Sequence, residues 1–187
     1  MEVTTVYFDE IGEANTDEVL RIAKKRAKEL DIKTIVVAST RGVTGAKAVG
    51  VFKGMKVVVV SHFTGMREPN MQELTDENRQ KIESKGGIIL TTAHAFTGVG
   101  GAMRKKFNMY LLGDIIANTF RVFGQGMKVV CEIALMAADA GLVRTDEDVI
   151  VIGGSGRGAD TAVVLRPVNS MDFFDLRVKE ILCKPHF

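Results

Sequence analysis

Three apolar, β-branched runs in this chain show no polar–apolar alternation, and each ends in hydroxyl or imidazole side chains. Ile35-Val36-Val37-Ala38 leads into Ser39-Thr40-Arg41-Gly42, Val57-Val58-Val59-Val60 into Ser61-His62, and Ile88-Ile89-Leu90 into Thr91-Thr92-Ala93-His94. A fourth run, Val149-Ile150-Val151-Ile152, leads into Gly153-Gly154-Ser155-Gly156-Arg157-Gly158. Strands that are apolar on both faces belong to a parallel sheet covered by helices on both sides. Such strands all point one way, so their polar ends share the edge where open α/β sheets bind ligands. The chemistry of the chain is therefore expected at one place, and hydroxyls, backbone N–H groups and arginines there suit an anionic guest.

Helical spacing fills the intervals between these runs. Val19, Leu20, Ile22, Ala23, Ala27 and Leu30 predict a first helix opened by Asn15 or Thr16, with Asp17 and Glu18 favourable to its N-terminal dipole. Further helices are predicted over residues 45–52, 70–85, 107–123 and 127–140. Both of the last two are apolar on more than one side, so at least one is expected to be buried, by the sheet or by a second subunit. Residues 91–101, rich in Gly, Thr and Ala, read as a loop, either a lid or a segment ordered only by ligand. The short step from the fourth run to residues 160–167 requires an antiparallel pair. Residues 3–8 and 178–182 read as edge strands. The expected fold is one α/β domain of 187 residues: a three-layer α/β/α sandwich whose mostly parallel sheet carries an antiparallel C-terminal hairpin strand.

Composition narrows the partners. The charge is balanced, 25 basic against 23 acidic residues, which argues against nucleic acid or a membrane surface as partner. The basic cluster Lys24-Lys25-Arg26 lies beside acidic residues on a helix and reads as a solvated face. Two distant cysteines, Cys131 and Cys183, form neither a metal-ligand pair nor a disulfide framework. The N-terminal residues are acidic where a signal peptide is basic then apolar. A cytoplasmic, reduced, soluble protein is expected.

Four motifs sit at the predicted sheet edge. Ser39, Thr40, Arg41, Gly42, Thr44 and Gly45 join a strand to a helix start, where free N–H groups and the helix dipole attract phosphate. The stretch is either an anion site or a capped turn with a surface arginine, and it lacks the Gly-Lys-Ser/Thr of a P-loop. Gly153, Gly154, Ser155, Gly156 and Arg157 include the letters of a dinucleotide fingerprint, but a β-branched run follows where that fingerprint needs a helix. They permit close approach of a ligand to backbone, or form a plain hairpin loop. His62, with Thr64 just beyond, and His94 are each a ligand contact or an ordinary hydrogen-bonded histidine. Thr91 and Thr92 lead into the glycine-rich middle. No metal set is assigned. Ser-x-x-Lys, G-x-S-x-G and HExxH are absent, and spacing assigns no nucleophile–base–acid set.

Residues 29–42, the stretch from Ala140-Gly141-Leu142-Val143 through Asp148 to Gly154, and Thr161-Ala162-Val163-Val164 resemble, in order, the opening and closing elements of the C-terminal domain of pyruvate kinase. The resemblance covers roughly residues 17–166. The chain as a whole is similar to stand-alone proteins of that domain type, found mainly in archaea and some bacteria. In pyruvate kinase the domain is regulatory, and its first turn and final glycine-rich loop hold a sugar-phosphate effector in some members. By position, the resemblance implies that Ser39, Thr40, Arg41, Gly42 and Thr44 hold a phosphate and that residues 153–157 close over it. It also implies no pyruvate kinase activity, since the catalytic barrel is missing. The stand-alone relatives are associated with flavin, so the cofactor expected here is flavin mononucleotide (FMN), its phosphate at residues 39–44 and its ring against the middle segment. The alternatives are a non-enzymatic sensor of a sugar phosphate or nucleotide and a structural module. A homo-oligomer is expected from the two apolar helices.

Overall fold

The structure, a computed structural model, describes residues 2–187. One seven-stranded sheet runs through the molecule in the order β1-β7-β6-β5-β2-β3-β4. Its strands are β1 (Val6–Phe8), β2 (Thr34–Ala38), β3 (Lys56–Ser61), β4 (Ile88–Thr91), β5 (Val149–Gly153), β6 (Thr161–Arg166) and β7 (Arg177–Pro185). Every pairing is parallel except the two made by β6. This is the predicted fold.

Helices cover both faces. Helices α1 (Thr16–Glu29), α2 (Val43–Val51) and α3 (Asp76–Glu83) lie on one side. Helices α5 (Leu112–Arg121) and α6 (Gln125–Asp139) lie on the other. The unbroken apolar strands follow from this double burial: Ile35 and Val37 enter the first core, while Val36 of the same strand enters the second. Likewise Ile150 and Ile152 face α1, whereas Val149 and Val151 face α6. Among the described residues no helix is long and apolar enough to cross a membrane.

The boundaries differ where side chains compete with periodicity. The helix expected over residues 70–85 is only Asp76–Glu83, because Thr75 caps it by accepting the N–H of Asn78 and Leu74 turns into the core. The stretch 107–123 breaks at Asn108, whose φ of 52° is left-handed. Helix α5 then starts at Leu112, with the Asp114 carboxylate accepting the N–H of Leu111. Residues 100–101, read as loop, open a short helix, α4 (Gly100–Phe107). Strand β7 is longer than residues 178–182 and lies inside the sheet, with β1 as the edge beyond it. Of the two apolar helices, α6 is the buried one, while α5 leaves Leu112 and Ile115 largely exposed. In the basic cluster, Arg26 is held by both oxygens of Glu180 at 2.7 Å rather than solvated.

Candidate functional site

From β2 the chain moves outward to β3 and β4, then returns to the other side of β2 as β5. Strands β2 and β5 are therefore parallel neighbours, with Val37 beside Ile152, whose connections leave in opposite directions. A crevice outside the carboxyl ends follows at such a switch point. Residues 39–45 follow β2 and residues 153–157 follow β5.

The β2 turn is held from below. Ser39 is buried, its hydroxyl accepts the N–H of Gly45 at 3.0 Å, and its own N–H donates to Val60 O at 2.9 Å. Gly42 has a φ of 90°, and a Cβ there would lie 2.5 Å from Asn78 and from Leu74. Asn78 also donates its side-chain N–H to Arg41 O at 2.9 Å. Helix α3 thus fixes the turn that opens α2. Thr44 is buried, Thr40 half-buried and Arg41 exposed. The N–H groups of Val43 and Thr44 begin α2, so no earlier helical carbonyl can accept them.

The glycine loop is fastened mostly to the N-terminal segment. Fully buried Asp160 accepts the N–H groups of Gly12 and Ser155, each at 2.9 Å, and the Thr161 hydroxyl at 2.7 Å. Thr16 accepts the N–H of Ala159. A Cβ on Gly158 would strike Glu13 at 2.4 Å, and one on Gly154 would strike Gly158 O at 2.7 Å. Self-packing therefore explains these two glycines. Gly156, with a φ of 85°, has open space around it, and it and Arg157 are exposed at the rim.

At the ends of β3 and β4 the expected histidines meet. Their rings lie 5.3 Å apart, edge to face, and Phe63 packs against His94 in the same way. His62 spans two partners: Nδ1 lies 2.7 Å from Glu73 Oε2, and Nε2 lies 3.3 Å from Thr40 Oγ1. Burial pushes the His94 imidazole below its ordinary pKa, partly offset by the nearby carboxylate of Glu132. The Ser61 and Thr91 hydroxyls are 2.6 Å apart, Thr64 accepts from Gln72, and Thr92 is half-buried. The stretches around residues 40, 62, 91 and 94 are thus in direct contact, whereas the 153–157 loop follows the neighbouring strand β5 and packs on residues 12, 126–130 and 158–160.

Sequence reasoning missed Glu73, Asp160 and the buried Lys128–Glu132 pair. Glu73 sits in a polar stretch that periodicity takes for helix. Lys128 and Glu132, four residues apart on an otherwise apolar helix, did carry a signal, since charges on a buried face need a purpose. They bond to each other, and Glu132 also accepts the N–H of Phe96 at 3.0 Å, anchoring the chain just beyond His94. Cys131 is buried as expected, its thiol pushed up to about 12 by burial. Two cavities, of about 410 and 370 Å³, lie elsewhere: one beside Phe52, Lys53 and Lys85 below the starts of β3 and β4, the other between α1 and β7. Neither contains a predicted site residue.

The family model of the pyruvate kinase alpha/beta domain matches residues 17–165. Among solved structures, two crystal structures of pyruvate kinase from Cryptosporidium parvum resemble the chain at 11% identity, with TM-scores of 0.44 and 0.42. Each match covers 82% of this chain, which spans only 23% and 22% of those chains.

Proposed function

The chain belongs to the family of the pyruvate kinase alpha/beta domain, and from that premise we propose that it binds a phosphate-bearing small ligand, FMN foremost, in the crevice between β2 and β5. The observation that carries this is the switch point itself: the opening turn of α2 and the glycine loop follow the carboxyl ends of the adjacent parallel strands β2 and β5. Helix N-termini with free N–H groups favour phosphate oxygens. Thr40 would add a hydroxyl, and Arg41 and Arg157, exposed on the turns after β2 and β5, would add charge.

The donor set fits a flavin nucleotide at both ends. Residues 39–44 and Arg157 would hold the phosphate, and the half-buried Phe63, His62 and His94 rings would adjoin the isoalloxazine. Bound flavin supplies hydride and electron transfer; the chain's part is to bind and orient it. Fluorescence titration of FMN with the protein tests the assignment: quenching is expected, and unquenched flavin would remove it.

The second reading is a sensor of a sugar phosphate or nucleotide without enzymatic activity. Asp160 favours it, because the carboxylate that holds the loop also holds the N-terminal turn and so links ligand contact to a distant segment. Fructose bisphosphate raising the melting point while FMN does not would select this reading. Exposed Leu112, Ile115 and Val122 on and beside α5 support the expected homo-oligomer; light scattering giving the mass of one chain would contradict it. The protein is proposed to work in the cytoplasm.

A further inference from the structure

We propose that Thr40, His62 and Glu73 form a hydroxyl–imidazole–carboxylate relay that hydrolyses small activated esters in the ligand-free protein, since a phosphate ligand held as proposed above would occupy Thr40 and cover His62. Three separate segments supply the parts: the β2 turn, the end of β3 and the loop before α3. Glu73 Oε2 at 2.7 Å from Nδ1 holds the imidazole in the tautomer that leaves Nε2 as acceptor, and Thr40 Oγ1 lies 3.3 Å from that atom. Contacts of this kind tighten when substrate binds. The neighbouring hydroxyls are committed elsewhere: Ser39 caps Gly45, Ser61 and Thr91 bond to each other, and Thr64 accepts from Gln72. His62 is the one side-chain partner of the Thr40 hydroxyl among the described residues. The carboxylate and imidazole are mostly shielded, with side chains 11% and 24% exposed, while Thr40 at the crevice is only half-buried.

The step balances without an outside oxidant or reductant. Thr40 Oγ1 bonds to the ester carbonyl carbon as its proton passes to His62 Nε2. The adduct collapses by breaking the bond to the alcohol oxygen, which leaves with that proton. Water then gives a proton to the same nitrogen and attacks the acyl-threonine; the carboxylic acid departs and Thr40 recovers its proton. Thr40 and His62 are the catalytic residues, and Glu73 is a positioning residue. The groups facing His62 are Glu73, with Arg67 3.8 Å from its other oxygen, and His94, backed by Lys128 and Glu132.

The test uses p-nitrophenyl acetate and the purified full chain, with melting points measured for every variant. A burst of p-nitrophenolate is expected, with acetyl found on the peptide that carries Thr40. Thr40→Val removes both and Thr40→Ser restores them. His62→Gln slows turnover about 10²–10⁴-fold, and Glu73→Gln slows it less while displacing the pH profile. No turnover above buffer, acetyl only at other residues, or Thr40→Val reacting like the natural chain would each overturn the proposal.

Discussion

Asp160 and Gly12 stand 148 positions apart in sequence, yet the Asp160 carboxylate accepts the Gly12 N–H at 2.9 Å. The same side chain takes the N–H of Ser155 and the hydroxyl of Thr161. One buried carboxylate thus decides where the glycine loop stands relative to the start of the chain. Asp160→Ala leaves three donors without an acceptor, at a cost of about 2–4 kcal/mol. That lowers the melting temperature by roughly 5–15 °C, read by calorimetry. A change of less than a degree would mean that the loop is held by something else.

Gly158 and Gly156 are both left-handed but differ in surroundings. A methyl group on Gly158 meets backbone at 2.4 Å, whereas one on Gly156 meets nothing within 4 Å. Gly156→Ala therefore costs only the left-handed conformation, about 1–2 kcal/mol. Gly158→Ala adds displacement of the Glu13 backbone and is expected to cost at least about 1 kcal/mol more. Urea unfolding of the two variants gives this order; equal losses would contradict the packing of the loop on residues 12–16.

His94 titrates in a direction that couples stability to pH. Its pKa is lowered in the fold, chiefly by burial, so the unfolded chain binds the proton more tightly. The contribution is fully present above the ordinary histidine pKa of about 6.5 and is lost as pH falls from there through the lowered folded value. The urea midpoint of the natural chain should therefore drop between about pH 7 and pH 5 more than that of His94→Gln. Parallel curves for the two proteins would show that His94 is not desolvated.

Sequence legibility followed the range of the forces involved. The strands were readable because burial on both faces leaves an apolar run without alternation, as Ile35, Val36 and Val37 show by entering two different cores. Their direction placed Thr40, His62 and His94 on one edge. The partners that orient those residues were not readable. Glu73 reaches His62 only because Leu74 turns inward and Thr75 restarts the helix, and no local pattern encodes that turn. Asp160 looked like one more polar residue after a glycine run; its importance lies in a contact with residue 12. Asn108, in a left-handed conformation, broke a helix that apolar spacing alone would have continued.

Isothermal titration of FMN into the natural chain and into Arg41→Ala, Arg157→Ala and the double variant tests the crevice most directly. Saturable binding is expected, weakened about tenfold or more by each arginine change, as for loss of a charge-assisted hydrogen bond. Binding that ignores both substitutions, or no heat with FMN, fructose bisphosphate or inorganic phosphate, would contradict an anion site between β2 and β5.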